Sequence, residues 1–322
     1  MAWTPFEFAD RHRLNAPQSA ALVERIRSLV GRICFGIRPG LRGMAVLAAA
    51  LFAIGATIMP VSAEDPAGPS AYRLGVFPYV PVLTIDRIYG PVAAQFSEDL
   101  GRPVHLKTKA SFEKFAEEIA KESYDVILVH PFFYVEAHDE YQYLPLARVE
   151  EPLTAVVMVD ADNPAETLAD LEGQTIALPP ELAAVSHMVK ASIHEAGLVP
   201  GVNIRLDHKR SKLSCLDEVA IGRAAACGLP EFALSQIDPD NDRNLRRMFT
   251  TPGIKGFVFA VHARVPEADR SNLWKSILAW PYTARGRAIL RGGAWTRFVR
   301  AEDEEYDEVR RYALRLRMLA QK

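Results

Sequence analysis

From Tyr72 onward, short runs of apolar residues alternate with longer stretches in which apolar residues recur every three or four positions. The short runs have the length of buried strands, and the longer ones have the period of helices packed on one face. The pattern predicts strands at Tyr72–Val76, Val104–Lys107, Val126–Val129, Thr154–Val159, Thr175–Ala177, Ile204–Leu206, Ala224–Cys227 and Phe257–Val261. Between them it predicts helices at Ile85–Leu100, Phe112–Lys121, Ala183–Ala196, Leu216–Ala224 and Leu273–Leu278. Gly101 and Gly197 fall just after two of these helices, where a left-handed residue closes the last turn. Strands alternating with helices build mostly parallel sheets covered on both faces, which is an α/β fold. A second strand–helix series opens with Leu168–Gly173 and Thr175–Ala177. The expected architecture has two lobes, with crossing strands near Thr154–Val159 and Gly256–Val261 and a hinge between them. Residues 72–155 and 257–322 form the first lobe in this reading, and 156–256 the second.

Ahead of Tyr72 the pattern changes. Met44 to Met59 is a sixteen-residue apolar run with no charge. Arginines precede it, and Pro60-Val61-Ser62-Ala63 follows, with small residues where a secretory cleavage site needs them. Residues 1–63 carry seven arginines, no lysine and three acids, so this segment is +4 while the remainder is −6. The preceding 43 residues are long for a signal peptide, and the apolar run is short for a span of roughly 20 residues. Two readings remain: the start of translation lies further in, or the segment stays as a signal anchor with its arginines inside. Either way the remainder of the chain is exported to the periplasm, and membrane contact is expected only through residues 44–63.

Composition adds exclusions. Hydrophobic residues make up 49% and charged residues 24%, which excludes a disordered chain. A net charge of −2 gives no basic surface for nucleic acid. Histidines 12, 105, 130, 138, 187, 194, 208 and 262 lack HxxxH or HxH spacing. His187 and His194, seven apart on one predicted helix, are separated by about 10 Å of rise and cannot share an ion. No metal site and no cofactor are expected. Cys34 lies in the export segment, leaving Cys215 and Cys227 as an even pair in an oxidising compartment, hence a candidate disulfide.

Several phrases occur in a telling order. Leu74-Gly75-Val76-Phe77-Pro78-Tyr79 is followed by Tyr89-Gly90-Pro91, Leu100-Gly101-Arg102-Pro103-Val104, Phe112-Glu113-Lys114-Phe115, Tyr124-Asp125-Val126 and His130-Pro131-Phe132-Phe133-Tyr134. Leu168–Ile176 and a tail from Leu290 to Phe298, with Tyr306 and Arg310, complete the series. From about 72 to 315 the chain resembles the periplasmic phosphate/phosphite/phosphonate-binding proteins of ABC transporters. The resemblance implies a type II periplasmic-binding fold that closes on a small ligand and delivers it to an ABC permease. Carried over by position, it implies ligand contacts at Phe77, Tyr79, Ser111, Phe112, His130 and Tyr134 from the first lobe. From the second lobe it implies His208 and Ser214, and Ser186 at the helix start, with His187 beside it as a substitute donor. Loops after the C-terminal ends of parallel strands are where open α/β sheets bind ligands, which favours Tyr79 and Tyr134 on physical grounds.

Two positions depart from that pattern. Where the family has a Ser/Thr-rich helix start for the oxyanion, this chain has Pro179-Pro180-Glu181. Prolines lack an N–H, and a carboxylate would repel an anion. Ala225 stands where the family usually has an aspartate. The oxyanion is therefore the inherited expectation, with the ligand class open. Two other functions compete with transport: a membrane-anchored sensor that reports the ligand to a signalling protein, and a periplasmic enzyme using Cys215 as nucleophile with His208 nearby.

Overall fold

The structure, a computed structural model, describes residues 70–236 and 244–320. The export segment, and with it the apolar run 44–59, lies outside the described residues. Among those described, no helix is long and apolar enough to cross a membrane.

Two mixed sheets organise the chain. In the first, β1 (Tyr72–Val76), β2 (Val104–Lys107) and β3 (Val126–Val129) run parallel, with β1 between the other two. β10 (Val258–His262) lies antiparallel against β3 and against β4 (Tyr143–Val149), and β11 (Phe298–Arg300) closes that edge. The order is β11-β4-β10-β3-β1-β2. In the second sheet β6 (Thr175–Leu178), β7 (Arg205–His208) and β8 (Ala226–Pro230) run parallel, while β5 (Ala155–Asp160) is antiparallel to both β8 and β9 (Leu245–Thr250). Its order is β7-β6-β8-β5-β9. Strand direction is thus mostly shared, as the alternation predicts. The reversed strands are β5, β10 and β11, two of which begin where the chain crosses between sheets.

At the crossing the two connecting segments pair with each other. Leu153 and Ile254 exchange both backbone hydrogen bonds, at 2.8 and 2.9 Å. Two short paired segments are the geometry of a hinge, because a few backbone angles there can absorb a rotation of one sheet against the other.

Helices cover both faces: α1 (Val82–Leu100), α2 (Phe112–Ala120), α3 (Pro131–Tyr141), α4 (Ala184–Glu195), α5 (Lys212–Ala220), α6 (Glu267–Ala279), α7 (Ala284–Gly293) and α8 (Asp307–Ala320). Gly101 and Gly197 adopt φ of +60° and +81°, the left-handed closures expected after α1 and α4. The segment after β3, expected as a loop, is instead helix α3. Its sequence opens with proline at the first helical position, where the missing N–H costs nothing. α3 and α4 meet through Phe132 and His187, ring centroids 4.7 Å apart. α8 adds an ion pair to α4 between Arg315 and Glu195 at 2.6 Å.

Candidate functional site

Six strand ends converge on one cleft, whose empty space is about 610 Å³ with its open mouth included. After β1 the lining is Phe77, Pro78 and Tyr79; after β2 it is Phe112; after β3 it is His130. From the second sheet come Pro179, Pro180 and Ala183–Val185 after β6, Arg210 and Ser211 after β7, and Pro230 and Phe232 after β8. Leu153 and Phe257 line it from the crossing segments.

Four of the six parallel strands, β2, β3, β6 and β7, each lead into a helix start beside this cleft. Ser111 caps α2, His130 caps α3, Ala183 precedes α4 and Ser211 caps α5. A helix N-terminus carries about half a positive charge, and its first N–H groups have no partner within the helix. Ala183 has no side chain with which to cap α4. Ala184 and Val185, which line the cleft, therefore present backbone donors that no group among the described residues takes up. Arg210 is the only charged side chain in the described lining. The cleft is electropositive with an aromatic wall.

That wall is built from rings in mutual contact. Phe77 stacks on Tyr79 at 4.8 Å and meets Phe257 edge-on at 5.0 Å, and Phe232 meets Phe257 at 5.8 Å. The Tyr79 hydroxyl is shared with that of Tyr89 at 2.8 Å, and burial pushes its pKa up to about 12, so it stays a neutral phenol.

His130 is 1% exposed. Its Nδ1 accepts the backbone N–H of Phe133 at 3.3 Å, and its Nε2 makes no hydrogen bond. Burial, followed by the nearby His187, lowers its pKa to about 3. The ring is neutral, and with Nδ1 accepting, the proton sits on Nε2.

Of the ten candidates read from the sequence, Phe77, Tyr79, Phe112 and His130 line the cleft. The other six do not. Ser111 sits at the rim, with its hydroxyl accepting from Lys114 N–H. Tyr134 is fully buried on α3, and its hydroxyl donates to Asp303 at 2.7 Å. It misses the cleft because the expected loop is a helix, which turns the side chain to the far side. Ser186 donates to the carbonyls of Pro179 and Pro180 at 3.1 and 3.0 Å. His208 donates through Nδ1 to the Pro179 carbonyl at 2.7 Å. These two side chains brace the double-proline turn from behind. His187 packs on Phe132, and burial lowers its pKa to about 4. Ser214 forms a reciprocal cap with Ser211.

Both sequence departures read differently in three dimensions. Pro179 and Pro180 lie before the cap residue Ala183, so they remove no donor from the first turn of α4. Glu181 is turned out of the cleft and paired with Lys190 at 2.7 Å. Ala225 sits at the start of β8, whereas Pro230 at the end of that strand lines the cleft. About five residues of strand, at about 3.3 Å each, separate the two, so the missing aspartate does not bear on the site.

Sequence reasoning missed Arg210, Ser211, Phe232 and Phe257. Arg210 and Ser211 follow a parallel strand directly, so the rule that selected Tyr79 also selects them; the sequence reading chose His208 and Ser214 on either side instead. Cys215 and Cys227 form a disulfide, with Cα atoms 5.6 Å apart, and both are fully buried. A Cys215 nucleophile is thereby excluded, as its sulfur is bonded and His208 is committed to Pro179. Among the described residues no cluster of His, Cys, Asp or Glu could hold a metal ion.

Two lobes of α/β structure with a ligand cleft at their hinge define a periplasmic substrate-binding protein of type II fold. Residues 74–306 match the family model described as ABC transporter, phosphonate, periplasmic substrate-binding protein, and the chain belongs to that family. It is a family of transport binding proteins and not of enzymes. No curated protein sequence matches the chain. Among solved structures, PhnD1 from Prochlorococcus marinus (MIT 9301), in complex with methylphosphonate, is similar with a TM-score of 0.71 and 15% identity, over 78% of this chain and 99% of that one. A binding protein component of an ABC phosphonate transporter from Pseudomonas aeruginosa gives 0.69 and 13%, over 79% and 88%. A Xanthomonas citri protein bound to ATP gives 0.66 and 14%, over 79% and 99%. At these identities the structures share the fold.

Proposed function

We propose that this protein captures a phosphonate-like oxyanion in the cleft and delivers it from the periplasm to an ABC permease. The lobes in this reading comprise residues 72–155 with 257–322, and 156–256. The observation that carries it is the convergence of four helix starts and Arg210 on one cleft whose described lining holds no carboxylate. An anion entering there exchanges its water shell for backbone N–H groups of Ala184 and Val185, the Nε2–H of His130 and the guanidinium of Arg210. Phe77, Tyr79 and Phe112 then cover it from the first lobe. Ser186, His208 and Ser214 act indirectly, by holding the Pro179–Pro180 turn and the head of α5 in place.

Closure about the paired segments at Leu153 and Ile254 brings the two walls together, and the closed form is the shape a permease reads. The family's role in import supports a permease rather than a signalling protein as the partner. The arginine-flanked segment 44–63 supports export, with the protein either released or held at the inner membrane. Isothermal titration of the full-length protein with methylphosphonate, phosphate, methanesulfonate and acetate tests the reading. Saturable binding of methylphosphonate is expected; binding of acetate or methanesulfonate alone would refute it.

A further inference from the structure

The cleft also carries information about what the oxyanion is attached to. We propose that it selects phosphonates whose substituent is apolar and uncharged, and that it discriminates against aminoalkyl phosphonates, with Arg210 supplying the ligand's only side-chain counter-charge. This inference rests on the phosphonate reading above and goes beyond it.

An ammonium group brought into a closed cleft must replace its water with acceptors for three N–H bonds, and a carboxylate is the side chain that does so without leaving a buried charge unpaired. Three carboxylates adjoin the lining residues: Glu113, exposed in the first turn of α2, and Glu181 and Glu231, which are held by partners. Glu181 follows Pro180 and is held by Lys190 at 2.7 Å. Glu231 follows Pro230 and is held on both oxygens, by the Thr154 hydroxyl at 2.6 Å and by Arg247 at 2.7 Å. None of the three lines the cleft. What faces the ligand instead is ring surface: Phe77, Phe112, Phe232 and Phe257, with the hydroxyl of Tyr79 already engaged by Tyr89. Aromatic faces remove apolar surface from water, and they hold no lone pair for an N–H donor. His130 cannot help an ammonium, because its Nδ1 lone pair is spent on Phe133 N–H and its other nitrogen is a donor. The described lining therefore holds donors for an anion and a surface for hydrocarbon, with no free carboxylate for a cation.

Propylphosphonate and 2-aminoethylphosphonate differ by exchange of a terminal methyl for an ammonium, so they isolate the effect. Isothermal titration of the full-length protein is expected to give at least about tenfold tighter binding of propylphosphonate. Inorganic phosphate, which lacks the hydrocarbon, is expected to bind more weakly than propylphosphonate. Equal affinities, or tighter binding of 2-aminoethylphosphonate, would overturn the specificity while leaving the phosphonate reading intact. Failure of both phosphonates to bind would overturn the phosphonate reading itself. Arg210→Gln is expected to weaken propylphosphonate at least about tenfold with an unchanged melting temperature, since Arg210 is exposed and makes no ion pair among the described residues. Unchanged affinity in that variant would remove Arg210 from the site.

Discussion

The Nδ1 atom of His130 accepts the backbone N–H of Phe133 at 3.3 Å, so one ring nitrogen closes the first turn of α3 while the other, Nε2, is buried. The bond fixes the tautomer. A backbone N–H can only donate, so Nδ1 must hold its lone pair, and the neutral ring carries its proton on Nε2. Nitrogen-15 correlation spectra at pH 7 should show the Nε2–H tautomer for His130. His130→Phe removes both the cap and the donor. It should cost about 1 kcal/mol of stability and weaken methylphosphonate about fivefold, the worth of one hydrogen bond. His130→Asn, whose shorter side chain can still cap, should regain the stability and not the affinity. A His130→Phe protein that binds as tightly as wild type would show that Nε2 does not touch the ligand.

The same burial makes stability depend on pH. His130 and His187 are lowered from 6.5 to about 3 and about 4, first by burial. Unfolding releases both rings to their ordinary pKa. Between pH 6.5 and about 4 the unfolded chain therefore binds protons that the folded chain refuses, and stability falls as pH falls. Above pH 6.5 neither state binds, and the contribution is fully present. The slope is at most about 1.4 kcal/mol per pH unit for each ring, with His187, which is partly exposed, giving less. Burial also lowers His194 and His262, in the same direction. Glu305, held down to about 2 chiefly by its hydrogen bonds to Arg148, adds its own loss only below 4.5. Urea denaturation at pH 8, 7, 6 and 5 should be nearly flat to pH 7 and then decline. A stability that holds or rises from pH 7 to 5 would contradict the buried neutral histidines.

How far the sequence alone reaches is clearest at strand ends. Phe77, Phe112 and His130 came from the family resemblance alone, whereas for Tyr79 the rule that ligands gather beyond the ends of parallel strands pointed the same way. Three strands were not legible. β9 reads Leu-Arg-Arg-Met-Phe-Thr and is partly exposed along its length, without the alternation of a half-buried strand. β11 has three residues, and β4 carries Pro145 and Arg148 inside its run. α3 was hidden by His130-Pro131, which reads as a turn until the histidine is seen to cap the helix. The disposition of Glu181 was invisible for a different reason. Its partner Lys190 lies nine residues on, and only the path of the chain through Ala183 brings the two together.

Tyr134 offers a direct test of that reassignment. Its hydroxyl donates to Asp303, which Arg310 also binds at 2.7 Å, and its ring packs 4.4 Å from that of Tyr306. Removing the hydroxyl leaves Asp303 still paired, so the loss should be that of a single charge-assisted hydrogen bond. Tyr134→Phe is expected to lower stability by about 1.5 kcal/mol in urea denaturation and to leave methylphosphonate affinity unchanged. A loss of affinity at constant stability would return Tyr134 to the cleft.

The disulfide links the cleft to the stability of the second lobe. Cys215 lies in the second turn of α5, whose start presents Ser211 and Arg210, and Cys227 lies in β8, whose end presents Pro230. The bond thus fixes the distance between two cleft walls at their bases. In the chain-entropy account, closing a loop of this size stabilises by about 3 kcal/mol. For a folded unit of this size that corresponds to about 6 to 12 °C in melting temperature. Alanine at both positions avoids leaving a buried thiol or hydroxyl, and Cys215→Ala with Cys227→Ala should show the full drop by calorimetry. Because the head of α5 is then held only by its packing and its Ser211–Ser214 cap, methylphosphonate should also bind more weakly than to the oxidised protein. A melting temperature that does not change on reduction or in the double variant would mean that packing around Leu216, Val219 and Leu229, and not the bond, holds α5 to β8.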